Sequence, residues 1–133
     1  MPVKLLMAAG SDSRTILIVD DDPDCVEPLE MLLKLAAPAL TILTAGDGQT
    51  GVDLARRFKP AIVIMDLEMP VLNGMEAARQ IKGEAGGHAP LIVAVSGNVP
   101  GLPAALASGS FDFALPKPLQ TESLLRILEP ESN

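Results

Sequence analysis

Five short apolar runs punctuate this chain, at Thr15–Asp20, Thr41–Ala45, Ile62–Asp66, Leu91–Ser96 and Phe111–Leu115. Rich in Ile, Val and Leu and largely unbroken by polar residues, they have the pattern of strands buried on both faces of a parallel sheet. Between them the apolar positions recur at helical spacing. Asp22 offers an N-cap and Pro23 a first helical position, predicting a helix to about Ala37 that carries Val26, Leu29, Leu32, Leu33 and Leu35. Pro28 lacks an amide donor and is expected to kink or delay that helix. A second helix is predicted over Gly48–Phe58, ended by Pro60, with Arg56, Arg57 and Lys59 complementing its dipole. Further helices are predicted over Gly74–Glu84 and Thr121–Glu129. Pro100, Gly101 and Pro103 leave room for only a short one between Gly97 and Gly109. Five strand–helix units in series predict an α/β fold, a right-handed parallel sheet with helices on both faces.

The length of 133 residues suits one domain. It is expected over residues 15–129, after a weakly ordered extension at residues 1–14 and before a short tail at 130–133. Leu5–Ala9 behind Lys4 is too short for the apolar core of a signal peptide, and no run reaches the ~20 apolar residues of a membrane span. A net charge of −7, three Phe and no Trp or Tyr argue against nucleic acid and anionic membrane as partners and favour protein. Cys25 stands alone, so no intramolecular disulfide forms, and a cytoplasmic location is expected. Cys25 itself reads as a small core residue. His88, with no second His or thiolate nearby in sequence, reads as a loop residue.

The candidate chemistry lies where the runs end. Parallel strands alternating with helices bring their carboxyl ends into one crevice, which gathers Asp20, Asp21 and Asp22, then Asp66, Ser96 and, just past the last run, Lys117. Several carboxylates together repel unless a cation neutralises them. Mg²⁺ suits such a set, because it takes oxygen ligands, keeps some waters and shares substrate phosphates. Asp66 is then a candidate nucleophile forming an aspartyl phosphate. In phosphoryl transfer, charge spreads over the phosphoryl oxygens; Lys117 can meet one as a point charge, Ser96 another as a hydroxyl donor, and Mg²⁺ a third. Asp20, Asp22 and Asp24 also fit the opening of a calcium loop, but Cys25 and Met31 stand where its turn glycine and bidentate Glu belong.

The segments Ile16–Asp24 (ILIVDDDPD), Ile62–Gly74 (IVIMDLEMPVLNG), Ala94-Val95-Ser96 and Leu115–Leu119 (LPKPL) together resemble the receiver domain of bacterial two-component response regulators, over about Thr15 to Leu128. The resemblance implies a flavodoxin-like, doubly wound three-layer fold with five parallel strands in the order 2-1-3-4-5. It implies Asp66 as phospho-acceptor, with Asp21, Asp66 and the Glu68 main-chain carbonyl as Mg²⁺ ligands, Asp20 assisting, and Ser96 and Lys117 holding the phosphoryl group. It also implies a cis peptide bond between Lys117 and Pro118. The implied donor is a phosphohistidine on a sensor histidine kinase or a histidine phosphotransfer protein. The chain is then a signalling phosphoacceptor rather than a turnover enzyme, catalysing only its own phosphorylation and slow dephosphorylation. Read as a stand-alone receiver with no effector domain after Asn133, it is expected to signal through phosphorylation-dependent contact with a protein target, with homodimerisation left open.

Two positions depart from the family pattern. Ala114 stands where the family usually has an aromatic ring that changes rotamer during switching, and Phe113, pointing to the opposite face of its strand, is not expected to replace it. The short fourth helix makes the usual signalling face soft. Three rival readings remain. One is a pseudo-receiver, an interaction module that is never phosphorylated, which the complete set of site residues disfavours. Another is a dinucleotide-binding fold using Gly46, Gly48 and Gly51 with Asp66; that fingerprint belongs after a first strand, not a second, and in a longer fold. The third is a phosphatase using Asp66 and Glu68, which lacks the rest of that pattern.

Overall fold

The structure, a computed structural model, describes residues 12–69, 72–84 and 89–128. Its strands are β1 (Asp12–Val19), β2 (Thr41–Ala45), β3 (Pro60–Asp66), β4 (Leu91–Ser96) and β5 (Phe113–Pro116). Its helices are α1 (Pro23–Ala36), α2 (Gly48–Phe58), α3 (Gly74–Glu84), the short α4 (Leu102–Ala107) behind a 3-10 turn at Val99–Gly101, and α5 (Thr121–Leu128). All strand pairs are parallel, in the order β2-β1-β3-β4-β5. This is the expected flavodoxin-like arrangement, with the chain reversing its direction of growth between β1 and β3.

Side-chain alternation divides the core in two. Ile16 and Ile18 of β1, Ile62 and Ile64 of β3, and Val93 and Val95 of β4 face Leu33 of α1 and Leu124 and Ile127 of α5. Leu17, Val19, Val63, Met65, Ile92 and Ala94 face Val52 of α2, Ala77, Ala78 and Ile81 of α3, and Leu102 and Ala105 of α4. With no Trp or Tyr available, the interior is filled mainly by aliphatic side chains, and each fully buried Ile, Leu or Val is worth about 1.5–3 kcal/mol.

Four expectations on element boundaries need correction, the first being β3, which starts at Pro60 rather than Ile62 because Pro60 pairs with Asp12. α1 begins at Pro23 and continues through Pro28 to Ala36 without the expected delay. The amide that Pro28 lacks would have met the carbonyl of Asp24, four residues back, and both residues are exposed, so water can serve the orphaned oxygen. β1 starts at Asp12, ahead of Thr15, because Asp12 pairs with Pro60. β5 starts at Phe113 rather than Phe111: Phe111 is buried as a core plug, and the Asp112 carboxylate accepts the Ile92 amide at 2.9 Å before the ladder begins. His88 and residues 1–11 and 129–133 lie outside the described residues.

Candidate functional site

The alternation that sorts the core also aims the functional side chains. Val19 pairs with Met65, so Asp20 and Asp66, one step further on, stand side by side and share the face of Ile18 and Ile64. Lys117 follows Leu115, which packs on the same side, and it reaches both carboxylates, with Nζ 3.0 Å from Asp20 Oδ2 and 3.5 Å from Asp66 Oδ2. The backbone ladder runs one bond past β1, β3 and β5: Asp20 N–H donates to Ala45 O at 3.0 Å, Leu67 N–H to Val95 O at 3.0 Å and Lys117 N–H to Ser96 O at 2.9 Å. These bonds fix the loops that carry the site. The Lys117–Pro118 peptide is cis, as the resemblance implied.

The three consecutive aspartates divide their tasks. Asp20 accepts the Asp22 amide at 2.9 Å through Oδ1 and Lys117 through Oδ2. Asp22 caps α1, accepting the Asp24 amide at 2.9 Å; with α1 starting at Pro23, no calcium-type loop forms. Asp21 is exposed. Among the described residues, Asp20, Asp21 and Asp66 each offer a carboxylate oxygen, and these oxygens lie within 4.8 Å of one another. A cluster of hard oxygen donors, graded from exposed to buried, fits a small divalent cation, and the Lys117 ammonium already neutralises part of its charge.

Asp66 is only 3% exposed. Burial, reinforced by the Asp20 charge, pushes its carboxyl up to about 6, against the opposing pull of Lys117 and the Glu68 amide. Lost hydration and the Asp20 charge together outweigh the ion pair with Lys117. Burial acts to lower Lys117, yet its hydrogen bond to Asp20 and the charges of Asp20 and Asp66 raise it overall. It therefore stays cationic at neutral pH.

Two glycines set the loop after β3. A Cβ on Gly74 would lie 2.2 Å from the Asp66 carbonyl oxygen, and one on Gly48 2.0 Å from that of Leu72. The Gly46-x-Gly48 spacing thus has a packing explanation: Gly48 lets the loop lie against the start of α2, while Asp47 caps that helix through the Thr50 amide at 2.8 Å. Beside the acidic cluster, between α1 and α5, opens a cleft of about 290 Å³ lined by Asp66, Lys117, Cys25, Leu29, Pro118 and Leu124 among others. Cys25 is half-buried there; burial raises its thiol, Lys117 opposing, which keeps it protonated.

Ser96 stands apart from the other predicted site residues. It continues the parity of Ile92 and Ala94, on the opposite face from Asp66, and is fully buried. Its hydroxyl donates to Glu68 Oε2 at 2.6 Å and accepts the Asn98 amide at 2.9 Å. The Ser96–Glu68 contact is what sequence reasoning missed, since Glu68 entered it only through its main-chain carbonyl and as a partner of Asp66 in the rival phosphatase reading. The available signal was an acidic side chain two residues past the acceptor, on the loop that borders the end of β4. Ala114 packs into the core and Phe113 is 38% exposed, so Phe113 does not take the place of the family's ring.

The sequence matches the profile of the response regulator receiver domain over residues 16–129, and the chain belongs to that family. A probable transcriptional regulatory protein, TcrX of Mycobacterium tuberculosis, is 31% identical over 117 residues, covering 88% of this chain and 49% of its own length. This chain thus spans about half the length of the curated relatives it matches first. The receiver domain of the sensor histidine kinase PA1611 of Pseudomonas aeruginosa, solved with magnesium coordinated in its active-site cleft, superposes with a TM-score of 0.78 at 28% identity, covering 88% of this chain and 95% of that one. The receiver domain of the Saccharomyces cerevisiae response regulator Ssk1, in complex with the histidine phosphotransfer protein Ypd1, is represented at a TM-score of 0.76 and 27% identity, covering 86% and 85%. Family membership makes this a signalling domain of two-component systems.

Proposed function

We propose that this chain accepts a phosphoryl group on Asp66 from a phosphohistidine of a sensor histidine kinase or histidine phosphotransfer protein, in a Mg²⁺-dependent reaction, and signals through protein contact. The observation that carries the reading is the buried Asp66 carboxylate held between the Asp20–Asp21 pair and the Lys117 ammonium. An Asp66 oxygen attacks phosphorus and forms the new P–O bond. The P–N bond to the imidazole breaks, and its electron pair stays on nitrogen. The ring leaves neutral because its second nitrogen carries a proton. Lys117 offers its charge to one phosphoryl oxygen, and Asp20 keeps it aimed. Asp21, Asp66 and the Glu68 carbonyl, with Asp20 assisting, would hold Mg²⁺. That ion, when bound, supplies further positive charge against the developing anion.

The Ssk1 receiver, solved with a histidine phosphotransfer protein, supports a donor of this kind, and the magnesium in the PA1611 receiver supports the metal. No helix among the described residues is long and apolar enough to cross a membrane, in keeping with the cytoplasmic location proposed here. The test is incubation with acetyl phosphate and Mg²⁺, followed by intact-mass analysis. One phosphoryl group per wild-type chain, absent in Asp66→Asn and absent after chelation of the metal, is the expected result. A wild type that takes up none under saturating donor would make it a pseudo-receiver.

A further inference from the structure

Ser96 has one hydroxyl proton to donate, and Glu68 holds it. The Ser96 Oγ to Glu68 Oε2 distance of 2.6 Å is that of a charge-assisted bond, and the oxygen also accepts the Asn98 amide. The same proton cannot serve a phosphoryl oxygen on Asp66 while it serves Glu68. Building on the phosphoacceptor reading above, we propose that Glu68 is a positioning residue, a latch that holds Ser96 in the unphosphorylated arrangement and is displaced when Asp66 acquires its phosphoryl group.

Two effects act on this one bond. The phosphoryl oxygens compete for the hydroxyl proton, and about −1.5 to −2 of added charge repels the Glu68 carboxylate, whose own amide donates to Asp66 Oδ1 at 3.2 Å. Glu68 is exposed, so its side chain can turn into solvent once released. Ser96 is tied through the Asn98 amide to the 3-10 turn Val99–Gly101 and to α4, where Val99 and Leu106 are exposed. Release of the latch therefore reaches that apolar surface through the backbone at Asn98. This route needs no aromatic rotamer, which suits a chain with Ala114 at that position.

The test is a double-mutant cycle read by beryllofluoride binding, with Mg²⁺ present, in isothermal titration calorimetry. Glu68→Ala is expected to tighten beryllofluoride binding about fivefold or more, and the gain in a Ser96→Ala background should be at least threefold smaller, on the order of a real coupling. Glu68→Gln, which keeps an acceptor oxygen without the charge, falls between. Equal gains in the two backgrounds would mean that Glu68 acts by charge alone and would overturn the latch while leaving the phosphoacceptor reading intact. A second readout needs only the exposed-site variant: in ligand-free Glu68→Ala, the Asn98 amide resonance should move toward its beryllofluoride-bound position. An unmoved resonance also overturns the latch. A wild type that binds no beryllofluoride overturns the underlying reading, and the latch with it.

Discussion

The two edges of the sheet treat charge in opposite ways. At the amino ends of the strands, charges are matched among the described residues: Asp112 accepts the Ile92 amide and Lys82, both at 2.9 Å, and Lys82 also reaches Pro90 O at 2.9 Å. Arg56 holds Glu84 through two bonds of 2.9 and 3.0 Å, joining α2 to α3. At the carboxyl ends, Asp20, Asp21 and Asp66 cluster, Glu68 borders Asp66 through its amide, and one lysine, Lys117, pairs with Asp20 and Asp66. One edge spends its charges on the fold. The other keeps a surplus of negative charge that a cation or a transferred group can relieve, and functional sites are where such unfavourable arrangements persist.

This contrast can be broken most sharply at Lys117. Lys117→Ala leaves Asp20 and Asp66 facing each other, and acetyl phosphate labelling should slow by about 100-fold, the scale of losing one charge positioned against a transferring group. A rate within threefold of wild type would show that the lysine is not part of the site. At the other edge, Asp112→Ala should cost about 2–3 kcal/mol in urea unfolding, because the Ile92 amide and the Lys82 ammonium lose their acceptor, with beryllofluoride affinity unchanged within twofold.

The surplus charge should itself be measurable as strain on the fold. Asp66 binds its proton more tightly in the folded chain, at about 6, than at its ordinary value of 3.8. Its favourable contribution is present in full below 3.8 and is lost as pH rises through about 6. Asp66→Asn carries no such charge, so it should be more stable than wild type by about 1–3 kcal/mol at pH 8, with the gap closing by pH 4. A gap that stays constant with pH would remove the electrostatic explanation. The smallest effect is expected at the exposed Arg56–Glu84 pair, where Arg56→Ala should cost under about 1 kcal/mol and lose even that in high salt.

Much of the fold was legible in the chain, because strands buried on both faces must be apolar throughout and because Pro, Gly and Asp mark element ends by backbone chemistry that is local. Asp22, Pro23 and Pro60 all sit where those rules put them. The misplaced boundaries had non-local causes. Phe111 looks like strand by propensity, but a carboxylate one residue later closes a bond to β4 and keeps it out of the ladder. Pro28 looks like a breaker, but its missing bond falls on the solvated side of α1.

By itself the sequence determined which residues end each strand, and hence that Asp20, Asp21, Asp66, Ser96 and Lys117 would meet at one end of the sheet. It did so through periodicity and turn chemistry, which act over a few residues. Which of them touch was decided only in three dimensions. Strand register and side-chain parity put Lys117 on Asp20 and Asp66, and turned Ser96 toward Glu68. Those contacts join residues up to 97 positions apart, and whether a hydroxyl faces an acceptor or a neighbour depends on rotamers and loop path, which no local pattern encodes.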